Sequence, residues 1–254
     1  MKLHFLSGGR VRMRRAVYYP GAAREERMDL PVSCALIRHD QGNVLFDTGC
    51  SPQAAIDPEA RWGGLTRVMA PIFAPEDAVT GQLALAGLGA DDIDLVICSH
   101  LHADHCGCNE AFAKATILCH ADELAAARAP DGVQLGYLPA DWDHPQSFDT
   151  FTGHRDVFGD GRITVMHTPG HTPGMSVALV TLDEAGPMLL ASDAIAIEAH
   201  LTEAYAPKNS WDHALAVAAI TDIKRIADEA HARIIYGHDA TQWQALRKGA
   251  QFYR

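Results

Sequence analysis

The run Ser99-His100-Leu101-His102-Ala103-Asp104-His105 follows directly on the apolar stretch 93–98 and places three imidazoles and a carboxylate within six residues. Side chains two apart in an extended segment point the same way, so His100 and His102 can grip one ion while the turning chain offers Asp104 and His105 to another. Imidazole nitrogen and carboxylate oxygen are the usual ligands of zinc and also suit manganese, iron and cobalt. The run therefore reads as half of a two-metal site. That constrains the fold, because two ions need more than four ligands and the remainder must come from distant parts of the chain.

Three other places qualify. After the strand-like run 163–167 comes Thr168-Pro169-Gly170-His171, after 188–191 comes Ser192-Asp193, and after 234–236 comes Gly237-His238. Loops at one edge of a layered sheet are where rigid strands hold reactive groups at fixed distances, so this repeated placement points to one cleft. A single His or Asp after a strand is ordinarily a turn residue or a satisfied hydrogen-bonding group. Joined to the cluster, they complete a set of candidate ligands: His100, His102, Asp104, His105, His171, Asp193 and His238.

This set resembles the dinuclear metal site of the metallo-β-lactamase-fold hydrolases, and the likeness runs the length of the chain. The stretches 57–64 (Asp-Pro-x-x-x-Trp-Gly-Gly), 158–161 (Phe-Gly-Asp-Gly) and Tyr236-Gly237-His238-Asp239 resemble the branch that holds N-acyl-homoserine lactonases and γ-butyrolactone hydrolases. The resemblance implies a four-layer αββα sandwich of α/β class. It also implies two divalent ions, zinc first with iron, manganese or cobalt as alternatives. His100, His102 and His171 would hold one ion and Asp104, His105 and His238 the other, with Asp193 bridging. The implied activity is lactone ring opening by a hydroxide shared between the ions, with Asp104 as the catalytic proton shuttle. Hydrolysis of another ester, a thioester or a phosphoester would use the same ligands. A metal-storing or metal-sensing module is the non-enzymatic alternative, although structural zinc sites are typically closed and often thiolate-rich.

The chain also departs from the branch. Its lactonases commonly carry a tyrosine three residues after the bridging aspartate, where this chain has Ala196, and Met175 stands where many relatives have a second histidine. His200 and Tyr205 lie close enough in sequence to reach in, but a surface or packing role is expected for each. Asp47 resembles the family's buried supporting aspartate; a plain turn residue is the equal alternative. His102 stands where flavodiiron relatives carry glutamate, which disfavours redox chemistry.

Composition bounds the rest. With 254 residues, 48% of them apolar, and no linker or low-complexity tract, the chain is expected to form a single hydrolase domain spanning 1–254. No window approaches a membrane span, and residues 1–10 lack a secretory apolar stretch, so a cytoplasmic location is expected. The six cysteines fit reduced thiols, with Cys34, Cys98 and Cys119 in apolar runs as core residues. Cys106 and Cys108 follow the cluster but are not needed as ligands. A net charge of −11 argues against nucleic acid, whose phosphates demand lysine and arginine. The expected partner is a small ester or lactone, with no membrane, and a homodimer is compatible with the sequence.

Coarse elements follow from pattern. Residues 32–37 and 44–46 read as strands joined by a hairpin at Asp40-Gln41-Gly42-Asn43. Residues 75–88 read as a helix with Val79, Leu83 and Ala86 on one face, 93–98 and 116–119 as strands, and 121–128 as a helix. The stretch 129–156 reads as a long irregular segment of the kind that forms pocket walls, with Tyr137 and Trp142 its candidate wall residues and Trp62, Met69 and Phe73 others. A long helix is expected from Ser210 as N-cap to Ala230, with Leu215, Ala219, Ile223 and Ile226 inward.

Overall fold

The computed structural model describes residues 1–254. The first sheet contains β1 (Lys2–Arg14), β2 (Arg27–His39), β3 (Gly42–Phe46), β4 (Met69–Pro71), β5 (Leu95–Ile97), β6 (Thr116–His120) and β7 (Phe148–Phe151), in the order β4-β1-β2-β3-β5-β6-β7. The second contains β8 (His154–Asp156), β9 (Ile163–His167), β10 (Ser176–Leu182), β11 (Gly186–Ser192) and β12 (Arg233–Tyr236), in the order β12-β11-β10-β9-β8. β1 through β3 form antiparallel pairs, whereas β3, β5, β6 and β7 run parallel, as do β11 and β12.

Both faces of each sheet are covered, and strand alternation explains how. Leu3, Phe5, Ala35, Ile37, Val44 and Phe46 of the first sheet meet Val165, Ala178, Val180, Met188 and Leu190 of the second in one buried cluster. The alternate residues Leu6, Cys34, Leu36, Leu45 and Val96 face the other way, against Val79, Leu83, Leu124 and Ala127 of the outer helices. On the far side Val177, Leu189 and Ala191 pack against Ile220, Ile223 and Ala227 of the helix His213–Ala230. Helix, sheet, sheet and helix therefore stack as the expected αββα sandwich.

Several local expectations are corrected. The helix expected over 75–88 is broken into a 3-10 turn Pro75–Asp77, a short helix Val79–Gln82 and a second 3-10 turn Leu83–Ala86. Its amide donors are divided among Ala74, Pro75 and Ala78 carbonyls rather than a regular ladder. The long helix starts later than Ser210: Asp212 is its N-cap, accepting from the Leu215 amide at 3.0 Å, and Leu215 is 40% exposed. The buried stripe is Ala216, Ala219, Ile220, Ile223 and Ala227. The segment 129–156 supplies two strands, β7 and β8, and β7 extends the first sheet parallel to β6. The hairpin at 40–43 forms as expected, His39 pairing with Gly42.

Candidate metal centre

The ends of five strands converge on one edge of the sandwich. β5 leads to His100, β9 to His171, β11 to Asp193, β12 to His238 and β3 to Asp47. His102 precedes a single helical turn, Ala103–Cys106, that carries Asp104 and His105. His100, Asp104, His105, His171, Asp193 and His238 are buried, and His102 is partly open.

Two groups of donor atoms lie side by side. His100, His102 and His171 form one, with His171 Nε2 and His102 Nδ1 3.2 Å apart. Asp104, His105 and His238 form the other, with the Nε2 atoms of His105 and His238 3.3 Å apart. Asp193 stands between them. Its Oδ2 lies 3.2 Å from His171 Nε2, while its Oδ1 lies 2.8 Å from His238 Nε2 and 3.4 Å from His105 Nε2. Two nitrogens binding one tetrahedral ion at about 2.0–2.1 Å stand about 3.3 Å apart, so these spacings fit a divalent cation on either side of Asp193. His100 Nε2 is buried with no hydrogen-bond partner, as a ligand atom awaiting an ion would be.

The second ring nitrogens of His100, His102, His105 and His238 have partners, which fixes how those imidazoles face the site, whereas His171 Nδ1 is buried without one. His102 Nε2 donates to the Leu135 carbonyl at 3.0 Å, and His238 Nδ1 to the Pro31 carbonyl at 2.8 Å. His105 Nδ1 donates to Asp47 Oδ2 at 2.9 Å. Asp47 also accepts from the Ser99 amide and hydroxyl, at 2.7 and 2.8 Å, and from the Ser192 hydroxyl at 3.1 Å. It therefore ties the ends of three strands together. Asp47 and Ser192 both have positive φ, 59° and 45°. Such backbone costs about 1–3 kcal/mol per residue and persists where the surroundings over-determine it.

Burial and charge divide the imidazoles. Burial, aided by neighbouring histidines, holds His100 well below its ordinary pKa and His171 down to about 3, so both stay neutral and basic toward a cation. Burial also opposes charge on His105, but Asp104, Asp193 and Asp47 outweigh it and raise that pKa. Burial likewise disfavours a charged Asp193, yet His238, His105 and His171 keep its carboxyl well below the usual range.

A cavity of about 480 Å³ opens over the centre. His102, Asp104, His171 and Asp193 line its floor, and Met13, Val17, Leu65, Val68, Met69 and Trp211 give it apolar walls. Met69 and Tyr137 line it as expected, whereas Trp62 and Trp142 are core residues and Phe73 borders a different cleft. Tyr18 lines the cavity too. Nothing in the arginine-rich segment around it signals this; only the folded turn Arg15–Val17 brings it there. Ala196 is buried in the same apolar cluster as Tyr18. His200 and Tyr205 pack, as expected: His200 stacks on Tyr18 with ring centres 5.5 Å apart, and the Tyr205 hydroxyl donates to the Tyr18 carbonyl at 2.6 Å.

All six cysteines are buried free thiols and none joins a group of metal-ligand geometry. His120, Asp122 and His167 form another close group. There the two imidazoles stack at 3.7 Å with an 8° interplanar angle, so their in-plane lone pairs run parallel instead of converging on an ion.

Comparison with known proteins agrees with this geometry. The model of the Metallo-beta-lactamase superfamily matches residues 27–238. The N-acyl homoserine lactonase AttM of Azorhizobium caulinodans is 31% identical over 231 residues, 89% of this chain and 88% of that one. The N-acyl homoserine lactonase AiiA of Bacillus thuringiensis subsp. kurstaki is 28% identical over 249 residues, 97% of this chain and 96% of that one. A solved N-acyl homoserine lactone hydrolase, with the product N-hexanoyl-L-homoserine at its catalytic metal centre, superposes at a TM-score of 0.88 with 26% identity, over 99% of this chain and 98% of that one. With seven donors at the strand ends of an αββα sandwich and a family match over most of its length, the chain belongs to the metallo-β-lactamase superfamily.

Proposed function

We propose that this chain is a single-domain, metal-dependent hydrolase that opens the ring of N-acyl-homoserine lactones or related γ-lactones. The observation that carries the proposal is Asp193, whose two oxygens face two separate groups of imidazoles on the floor of an apolar-walled cavity. His100, His102 and His171 would hold one ion, Asp104, His105 and His238 the other, and Asp193 both. Five imidazoles and two carboxylates, with no thiolate, form a donor set that suits zinc and also admits iron, manganese or cobalt. When bound, the cations supply Lewis acidity and a water acidic enough to attack a carbonyl at neutral pH.

The chain's own residues do the rest. Asp104 lines the cavity with its carboxylate 3.7 Å from the Nε2 atoms of both His105 and His238, so it can hold the proton released on attack and return it to the departing ring oxygen. Met13, Val17, Leu65 and Met69 offer an apolar wall to an acyl chain and keep water from the reacting ester. The product is a hydroxy acid.

The test is a panel on metal-loaded protein: short and long acyl-homoserine lactones, γ-butyrolactone, an aryl ester, a thioester and a phosphodiester, with acid release titrated. Lactones are expected to turn over; activity confined to the thioester or phosphodiester would refute the proposal. Asp104→Asn is expected to abolish turnover while at least one metal stays bound, and retained activity would remove Asp104 from the proton path.

A further inference from the structure

Tyr18 lines the cavity, and its hydroxyl makes no hydrogen bond within the chain. The residue is only 2% exposed, yet it lines the cavity alongside Asp104 and Asp193. The hydroxyl is not among the polar atoms sealed in the interior, and no protein group accepts from it. A buried ring whose hydroxyl has neither a partner nor a seal presents that hydroxyl to the open space of the cavity.

Its placement is held from three sides. The ring lies flat on His200, with centres 5.5 Å apart and an interplanar angle of 7°, and stands edge-on to His238 at 6.5 Å. The Tyr18 carbonyl accepts from the Tyr205 hydroxyl at 2.6 Å, and the Tyr18 amide donates to the Arg15 carbonyl at 3.0 Å. The neighbouring Val17 carbonyl accepts from the Lys208 amide at 3.1 Å. His200 and Tyr205 thus act as supports, and a phenol held this firmly loses little freedom when it bonds a ligand.

We propose that Tyr18 is a catalytic residue whose phenol donates a hydrogen bond to an oxygen of the ester being opened, as negative charge builds on that oxygen. The proposal rests on the lactone-hydrolase assignment. A neutral phenol is a donor at physiological pH, whereas the carboxylates beside it can only accept. A preorganised donor aimed at developing charge in a water-poor site acts mainly in the transition state. Its removal therefore lowers kcat more than it raises KM.

Tyr18→Phe removes only the oxygen and keeps the stack on His200. With N-hexanoyl homoserine lactone, kcat is expected to fall about 10- to 100-fold while KM changes by less than about threefold. Metal content, read by elemental analysis, and melting temperature are expected to match the unmodified protein. Calorimetry with N-hexanoyl-L-homoserine is expected to show product binding weakened severalfold. Should Tyr18→Phe not fold, Tyr18→Met supplies apolar bulk without the hydroxyl for the same measurements. An unchanged kcat, a loss confined to KM, or a loss matched by missing metal would overturn the role of the phenol alone. If the unmodified, metal-loaded protein does not open the lactone, the functional assignment fails and the role of Tyr18 fails with it.

Discussion

Asp47 shows how much a residue outside the metal-donor set can decide. Its carboxylate accepts from His105, Ser99 and Ser192, so removing it leaves His105 Nδ1 with only the Ser192 hydroxyl and loosens the ends of β5 and β11 together. Asp47→Ala is expected to weaken metal binding about 10- to 100-fold, measured by competition with a chelator. Unchanged affinity would reduce Asp47 to a turn residue. His200 offers a test by pH. Burial holds its pKa down to about 4, against an ordinary 6.5, so on acidification the unfolded chain takes up the proton before the folded one does. Its contribution, about 3 kcal/mol, is complete above pH 6.5 and is lost as pH falls toward 4. His200→Phe keeps a ring against Tyr18 and is expected to flatten the decline in thermal stability across that window. An equally steep decline would place the titration elsewhere. At this scale the sequence exposes the donors and hides their supports. A His-x-His-x-Asp-His run is visible as spacing, whereas Tyr18 and Glu123 become functional only through contacts between segments far apart in the chain.

Two loops that carry candidate metal ligands are fastened by one helix. Glu123, on the helix Ala121–Arg128, is fully buried; its Oε1 accepts from the Leu101 amide at 2.9 Å and its Oε2 from the Gly174 amide at 3.0 Å. One carboxylate therefore sets the loop of His100 and His102 against the loop of His171. Gly174 is required for this closeness, since a Cβ there would collide with the Glu123 backbone amide. Glu123→Gln replaces one accepting oxygen with a donor facing a donor, at about 2 kcal/mol, and is expected to lower the melting temperature by about 4–8 °C. A shift under about 1 °C in calorimetry would show that the clamp carries no load. The elements themselves were unequally legible. The strand expected over 116–119 forms as Thr116–His120, and the helix expected over 121–128 forms as Ala121–Arg128. The stretch 75–88 has helical spacing, but Pro75 and Gly81 interrupt it, and Gly81 packs against the Glu76 carbonyl where any Cβ would clash. β1 escaped notice because Gly8 and Gly9, at its register shift against β2, break the apolar alternation that would have revealed it.

Across the molecule, two sheets of different strand number share one core and deliver the candidate ligands from opposite sides of the sandwich. His100, His102, Asp104 and His105 come from the first sheet, and His171, Asp193 and His238 from the second. A bound ion would thus link the two halves, and cations that bind only the folded chain stabilise it by mass action. No helix of the chain is long and apolar enough to cross a membrane. The architecture was legible from the sequence because the spacing of the candidate ligands resembles a known family and strand-like and helical runs recur in both halves; the cavity was not, because its walls come from segments with no shared pattern. The central claim is that seven side chains hold a pair of cations with Asp193 between them. Elemental analysis of protein saturated with zinc and freed of excess measures this directly. Two equivalents per chain, falling to one or fewer in Asp193→Ala, is the predicted result, and a single equivalent in the unmodified protein would contradict it.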